Sequence, residues 1–425
     1  MRAIALVLCT LLASAADAEP RVADYFAAQQ RAFAAYEKRD AQAFLAGAKE
    51  MLAVHPDHPP AHYAYAAASA LSGDAKTALR ELGMLADLGL VQQPRREPAF
   101  AALLDDTAFK AIEARFAENA KPRGEVRVVL EAKGLPGDFI PEAFARDEAG
   151  KRTLFASVRQ RRIAAVSDDG AVSDFVPTGR DGLMSALGIH VVGDEVLVAS
   201  SGTAEMRPSD AALVGSAGVF AFARDSGELR GKWLLPKPAE GRGLAFGDLL
   251  VSANGRVVAT DSVGGKLYVL DRESGGWAML PAVGLGSPQG LVDLGADRYA
   301  IADYTTGVWI LDGGKLAPLA SEVPAALYGI DGLYAYQGDL VATQNGTNPQ
   351  RILRLRLDRE RKHILRVETL ASAHPKWDEI TLGEVVGDEF RFIANSHWSK
   401  FDAKGELPPA KELSPPTIMA VGLGD

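Results

Sequence analysis

Cysteine is nearly absent from this chain of 425 residues, and the only one, Cys9, lies in an apolar run near the start. If that run is removed during export, the mature protein has no thiol. This excludes disulfides, zinc–thiolate sites and a cysteine nucleophile. Stability must then come from burial of apolar side chains, and about 400 residues are enough to build a sizeable core.

Clusters of basic residues are also missing. The chain has 46 Lys and Arg against 55 Asp and Glu, a net charge of −9. An acidic chain without a basic patch is a poor partner for a phosphate backbone, so we expect no nucleic-acid partner. Residues 351–366 are locally basic, but their charges alternate along a predicted strand. That pattern is typical of a solvated sheet face.

The first 18 residues, "MRAIALVLCTLLASAADA", have the order of a secretory signal peptide. An Arg is followed by an apolar run and by small residues ending in Ala-Asp-Ala, which predicts cleavage after Ala18 and a periplasmic or secreted protein. The apolar run is short for a bilayer span, so we expect no transmembrane segment in the mature chain. An uncleaved anchor is the alternative, and the poor residue before Cys9 argues against a lipoprotein.

Glycine is scarce at the front of the chain, where only four of the 42 precede residue 121. Alanine dominates there and apolar residues recur at helical spacing, which predicts a helical domain over residues 19–120. Asp40-Ala41 recurs 34 residues later as Asp74-Ala75, and this is the tetratricopeptide period. Residues 121–125, "KPRGE", are the predicted linker.

Three histidines in the helical domain suggest a metal cluster by their number alone. Prolines at 56, 59 and 60 interrupt the helix that would place them on one face, so we interpret the segment as an inter-helix turn. The histidines are His55, His58 and His62.

The rest of the chain repeats itself. A shift of 42 residues places "PQGLVDLGADRYAIADY" (288–304) under "IDGLYAYQGDLVATQNG" (330–346), and a second such shift adds "FGDLLVSANGRVVATDS" (246–262). Weaker copies begin at residues 141, 186 and 380. Each copy has about four short strands in roughly 45 residues, which is the size of a propeller blade. The sequence therefore predicts a six-bladed β-propeller over residues 126–425, and a β-sandwich is the alternative.

Residues at one position of the repeat should gather at one mouth of the propeller's central channel. That position, phase one, is occupied by Glu142, Leu187, Gly247, Gln289, Asp331 and Thr381. Two carboxylates and an amide then converge, and such oxygen ligands suit Ca²⁺, Mg²⁺ or Mn²⁺. The alternative is that these residues cap turns.

A second set of small polar residues follows phase one by about fourteen residues. We call it phase two and expect its members to tie neighbouring blades together rather than to bind a ligand. They are Ser157, Ser201, Asp261, Asp303, Asn345 and Asn395.

The propeller region resembles the regucalcin (senescence marker protein)/gluconolactonase family, on "PEAFARDEAGKRTLFAS", "FGDLLVSANGRVVATDS", "SPQGL" and "GIDGL". The resemblance implies a divalent cation (Ca, Mn, Mg or Zn) bound by Glu142, Gln289 and Asp331, with Asp331 also the candidate catalytic base. The sequence departs from the family at Ala143, where a glycine is usual, and at Gln289, where the family has a shorter amide. At Gly247 an amide is lost.

Two functions stay open. The first is a metal-dependent hydrolase acting on a small-molecule lactone or related ester. The second is a non-catalytic binding protein whose helical repeats and propeller face engage a protein or peptide partner. Other motifs fail: "GLGSPQG" lacks dinucleotide-binding spacing, there is no nucleophile elbow, and His190 and His397 are interpreted as satisfied core or rim histidines.

Overall fold

The computed structural model describes residues 20–238, 241, 243–252, 254–282 and 284–424. Within these ranges five α-helices precede twenty-five β-strands. The predicted leader, residues 1–18, lies outside the described residues. None of the described helices combines the length and the apolar character that crossing a bilayer requires.

The helical region consists of antiparallel pairs followed by one further helix. The five helices are α1 (Pro20–Glu37), α2 (Ala41–Val54), α3 (Pro59–Leu71), α4 (Ala75–Asp87) and α5 (Thr107–Asn119). Asp40 and Asp74 are the N-caps of α2 and α4, and each carboxylate accepts a backbone N–H three residues later at 3.0 Å. The 34-residue period therefore marks the start of the second helix in each pair. The tetratricopeptide assignment itself stays a prediction.

The histidine-rich segment is an inter-helix turn, as predicted, because His55 ends α2 and His58 precedes α3. His58 also joins the helices to the propeller. Its Nδ1 lies 2.8 Å from the Tyr25 hydroxyl and its Nε2 lies 2.9 Å from the Thr305 carbonyl oxygen. Burial lowers the pKa of His58 to about 3. The ring is therefore neutral, and it donates to Thr305 while accepting from Tyr25.

Six sheets follow, each an antiparallel blade whose strands run outward from the channel. Blade 1 contains β2 (Pro141–Asp147), β3 (Arg152–Ser157), β4 (Ile163–Ser167) and β5 (Val172–Val176). Blade 2 contains β6 (Ser185–Val192), β7 (Glu195–Ser201), β8 (Ala217–Ala223) and β9 (Leu229–Leu235). Blade 3 contains β10 (Phe246–Val251), β11 (Val257–Asp261), β12 (Lys266–Asp271) and β13 (Gly276–Met279).

The remaining three blades include the closure of the ring. Blade 4 contains β14 (Pro288–Gly295), β15 (Arg298–Asp303), β16 (Gly307–Asp312) and β17 (Lys315–Pro318). Blade 5 contains β19 (Ile330–Tyr336), β20 (Asp339–Gln344), β21 (Arg351–Leu357) and β22 (His363–Ser372), and the short β18 (Ala320–Ser321) pairs with β22 in parallel. Blade 6 contains β23 (Gly383–Val386), β24 (Glu389–Ile393), β25 (Thr417–Gly422) and, as its outer strand, β1 (Val126–Glu131).

The pairing of β1 with β25 joins the start of the propeller to its end. This confirms the six-bladed propeller, and the β-sandwich alternative is wrong. The core is divided into clusters of buried apolar residues between adjacent blades, such as the one from blades 4 and 5 that includes Ala302, Ile310, Leu333 and Leu353. Each blade therefore buries its faces only against its neighbours.

Phase two ties neighbouring blades together, as predicted, at two of its six positions, and at the other four the prediction is wrong. Phe246 N donates to Ser201 Oγ at 2.7 Å, which ties blade 2 to blade 3. Asn345 Nδ2 donates to the carbonyl oxygen of Ile380, at 2.9 Å, in the segment that leads into blade 6. The other members hold a connecting segment of their own blade: Ser157, Asp261, Asp303 and Asn395.

The prediction of a solvated face over residues 351–366 is wrong for two arginines, which are buried. Arg354 donates to the Leu423 carbonyl oxygen at 2.6 Å and pairs with Asp339 at 2.8 Å. Arg351 donates to the Leu88 carbonyl oxygen at 2.7 Å, at the end of α4. Arg351 and Arg354 are three residues apart in a regular strand, so they lie on opposite faces of it. The end of the chain in blade 6 covers Arg354, and the end of α4 covers Arg351.

The buried carboxylate of Asp303 should be essential to blade 4, because it accepts from the backbone of Gly286, Ser287, Thr305 and Thr306. Asp303→Ala leaves these donors unpaired, and we expect the free energy of unfolding to fall by about 3 kcal/mol or more. Urea unfolding measures this loss. The matched control is Asp312→Ala in the same blade, whose side chain is 58% exposed. It should change stability by less than about 1 kcal/mol, and equal losses in both variants would contradict the assignment.

Candidate functional site at the channel mouth

The innermost strands β2, β6, β10, β14 and β19 share an irregularity near the first residue. In β2 the register steps from Pro141 to Ala143, so Glu142 has no partner in β3. In β19 it steps from Ile330 to Gly332, which leaves Asp331 unpaired in the same way. Such β-bulges redirect a side chain away from the regular face of the sheet. Equivalent steps occur near Leu187, Gly247 and Gln289. Five of the six phase-one positions are thus bulges, and the sixth, Thr381, precedes β23.

Glu142 is buried, and its surroundings set the position of its carboxylate. The indole N–H of Trp398 donates to Oε2. The backbone oxygen of Glu142 accepts from the Thr381 hydroxyl at 2.8 Å, which fixes the strand against blade 6. Oε1 has no hydrogen bond to any described residue. Burial, and after it the charge of Asp331, raise the pKa of Glu142 well above its usual range.

Asp331 lies in a similar environment, with 8% of its surface exposed. Asn345 Nδ2 donates to its Oδ2 at 2.8 Å. Burial, followed by the charge of Glu379, raises the pKa of Asp331 from 3.8 to about 7, against the opposing effect of the Asn345 hydrogen bond. In the part of the chain that the structure describes, no lysine or arginine forms an ion pair with Glu142 or Asp331. Negative charge at the mouth is therefore uncompensated.

Two further carboxylates add negative charge near the channel mouth. Glu379, in the segment that leads into blade 6, accepts from Ser399 N at 2.7 Å. Asp248, next to the phase-one position of blade 3, lies 3.3 Å from His190 Nε2. Burial lowers the pKa of His190, but the hydrogen bond and charge of Asp248 outweigh it, and the pKa is raised overall. His190 is therefore partnered, as predicted, and it is the nearest basic group that Asp248 has.

The side chain of Gln289 fills the volume that a side chain at position 247 would need. A Cβ atom at position 247 would lie 2.7 Å from Gln289 Oε1. Gln289 Nε2 donates to the Ser287 hydroxyl at 3.2 Å, which holds the amide in this position. The longer amide in blade 4 therefore lies where a side chain of blade 3 would otherwise stand.

The donor set matches a hard divalent cation in its chemistry. It contains one carboxylate oxygen each from Glu142 and Asp331 and the Oε1 of Gln289. Asn345 Oδ1, which is buried without a hydrogen-bond partner, adds a second amide oxygen. Oxygen ligands of this kind favour Ca²⁺, Mg²⁺ or Mn²⁺ over Zn²⁺. Within the described ranges no three His, Cys, Asp or Glu side chains are arranged to hold a metal ion, so amide oxygens and water must complete any such site.

The structure thus brings Glu142 and Asp331 into one electrostatic environment and places Gln289 in the strand beside Asp331. Sequence reasoning missed Trp398 and Glu379, which lie outside the repeated phrase and carry no repeat signal. It also missed that Asn345 contacts Asp331. Their separation by fourteen residues, one hairpin long, was the available clue.

The sequence matches no protein-family model and no curated protein. The fold is similar to solved structures that include a gluconolactonase from Xanthomonas campestris, with 14% identity over 72% of this chain and 93% of that chain and a TM-score of 0.45. A PQQ-bound aldose sugar dehydrogenase from Streptomyces coelicolor has 14% identity over 71% and 98%, TM-score 0.46. A virginiamycin B lyase from Staphylococcus aureus has 14% identity over 72% and 100%, TM-score 0.45. The likeness concerns the fold and not the activity.

The raised pKa of Asp331 predicts how stability depends on pH without added cations. Between its unfolded pKa of 3.8 and its folded pKa of about 7, the native state binds more protons than the unfolded state. Stability should therefore fall as pH rises through this window. Asp331→Asn removes this dependence, so from pH 5 to 8 the wild type should lose about 2–3 kcal/mol relative to the variant.

Urea unfolding in the presence of a chelator provides this measurement. Asp225→Asn is the control, because the Asp225 side chain is 85% exposed and its removal should leave the wild-type slope unchanged. Parallel pH curves for wild type and Asp331→Asn would show that the carboxylate is not held as the structure indicates.

Proposed function

We propose that this protein is a divalent-cation-dependent hydrolase of lactones or related esters. The observation that supports this most is the pair of bulged, buried carboxylates of Glu142 and Asp331, which repel each other and form no ion pair with a lysine or arginine among the described residues. Buried carboxylates of this kind are stable only with a shared proton or a cation. A divalent cation would supply polarisation of the substrate carbonyl and a lower pKa for bound water.

We assign a different role in the reaction to each residue at the mouth. Asp331 is the general base: it accepts a proton from the attacking water and returns it to the ring oxygen as the C–O bond breaks. Asn345 orients Asp331 through Oδ2, and Trp398 holds Glu142 through Oε2. Each carboxylate thereby keeps one oxygen free for the ligand.

A cation that binds only the native state should raise the melting temperature. At a concentration of 100 times Kd the gain is about 2.7 kcal/mol. We expect Ca²⁺, Mg²⁺ or Mn²⁺ to stabilise the wild type and to support hydrolysis of a six-membered sugar lactone. Glu142→Gln and Asp331→Ala should lose both effects, whereas Asp312→Asn, an exposed carboxylate of blade 4, should keep them. Differential scanning fluorimetry and a pH-indicator assay of lactone opening make these measurements.

If the wild-type melting temperature ignores millimolar cations and Asp331→Ala melts like the wild type, the hydrolase proposal is wrong. The second candidate, recognition of an apolar peptide by the helical region, then takes its place. A groove of about 780 Å³ between α4, α5 and the propeller favours it, with a lining that includes Leu79, Met84, Leu88, Ile112 and Pro324. Titration with apolar helical peptides, followed by a Leu79→Asp variant, tests that function.

We further propose that the protein acts in the periplasm or outside the cell. The order of charged, apolar and small residues in the first 18 positions supports export. N-terminal sequencing of the protein from its native host should find Glu19 at or near the first position. Recovery of a cytoplasmic protein that retains Met1 would contradict this proposal.

A further inference from the structure

A serine, a histidine and an aspartate of blade 6 are linked side chain to side chain, and none of them belongs to the proposed metal site. Ser414 Oγ lies 3.3 Å from His397 Nε2, and His397 Nδ1 lies 2.9 Å from Asp378 Oδ2. Asp378 precedes β23, and the other two lie at opposite ends of the long segment between β24 and β25. The three residues thus come from separate parts of blade 6. Nucleophile, base and orienting carboxylate in this order form the arrangement of serine hydrolases.

The hydrogen bonds define which nitrogen of His397 carries the proton. Nδ1 faces a carboxylate, so in the neutral ring the proton lies on Nδ1 and the lone pair lies on Nε2. The Ser414 hydroxyl can then donate to Nε2. Nε2 also lies 3.1 Å from the Ser414 carbonyl oxygen, which can accept a hydrogen bond once Nε2 has taken the serine proton. Asn395 Nδ2 donates to Ser414 Oγ at 2.7 Å, which leaves the hydroxyl proton for the histidine.

The position of His397 is imposed by its surroundings. Its φ of 62° lies in the left-handed region, which a histidine adopts at a cost. The backbone is held there because Ser396 N donates to the Glu379 carbonyl oxygen at 3.1 Å and His397 N donates to that of Asp378 at 3.3 Å. Strained backbone of this kind is concentrated at functional sites. The same bonds fix the histidine relative to Asp378.

The three residues differ in solvent exposure: the serine is exposed and the histidine is buried. Ser414 is an exposed residue. His397 is only 3% exposed, which keeps the imidazole out of bulk water. Asp378 also lies 3.4 Å from Lys400 Nζ, so its charge is balanced. A serine with only a structural role in this loop would not need a buried histidine that is held in position by a carboxylate.

We propose that Ser414, His397 and Asp378 form a second, cation-independent site that transfers acyl groups from carboxylic esters to water. Ser414 Oγ bonds to the ester carbonyl carbon while its proton moves to His397 Nε2. The tetrahedral intermediate then expels the alcohol, which takes that proton. Water, deprotonated by His397, releases the acid and restores the serine. Asp378 positions the imidazole throughout.

A fluorophosphonate probe tests the site, because it phosphonylates an activated serine and leaves other hydroxyls unmodified. We expect the intact wild-type chain to gain one probe mass, on the peptide that contains Ser414, in buffer with a chelator. Retention of labelling in chelator separates this site from the proposed cation-dependent one. Ser414→Ala should abolish the label. His397→Asn should slow it by at least about 100-fold, since asparagine tolerates the left-handed backbone and keeps a donor for Asp378.

The matched control is Ser399→Ala, because Ser399 Oγ lies 3.4 Å from the other oxygen of Asp378 and does not contact the histidine. It should label like the wild type, and circular dichroism should show that each variant is folded. The proposal is overturned if the folded wild type gains no probe mass, or if Ser414→Ala is labelled as fast as the wild type. Equal labelling rates for His397→Asn and wild type would overturn it as well.

Discussion

The innermost strands of the blades line one channel, and they all begin at the same face of the propeller, because the chain forms the innermost strand of each of these blades first. Each of the first five inner strands has an irregular register near its start, at the phase-one position. A bulge frees its residue from the ladder and re-aims its side chain away from the regular face of the sheet. Closure by β1 and β25 holds the ring at fixed size. The fold thereby holds carboxylates from different blades close together, although their charges repel each other.

The resulting repulsion shapes the rest of the mouth. Burial raises the pKa values of Glu142 and Asp331; the charge of Asp331 adds to the rise for Glu142, and the charge of Glu379 adds to the rise for Asp331. Single hydrogen bonds from Trp398 and Asn345 offset only part of this rise. The helical region lies at the same face, since Thr305, which accepts from His58, follows the end of β15 where Asp303 pairs with the start of β14. The helices therefore lie beside the face of the propeller at which β14 begins.

The repeat predicted the architecture because a 42-residue period carries both strand order and blade size. It also predicted which residues share the mouth, since equal phase means equal height on the channel. It gave no information on Trp398, Glu379 or Ser414, which lie in connecting segments of blade 6 outside the repeated phrase. Arg354 was misjudged for a related reason: strand alternation identifies a face but not the element that covers it, and here the covering strand comes from the far end of the chain.

The departures at Gly247 and Gln289 illustrate why positions cannot be judged singly. In the sequence one amide is lost and another is lengthened by a methylene, and these look like two independent defects of a binding site. In the structure the lengthened amide fills the space above the glycine, because Gln289 Oε1 lies 2.7 Å from where a Cβ at position 247 would be. Adding a side chain at position 247 alone would displace Gln289 rather than restore a ligand. A side chain at position 247 and the amide of Gln289 therefore compete for one space beside blade 3.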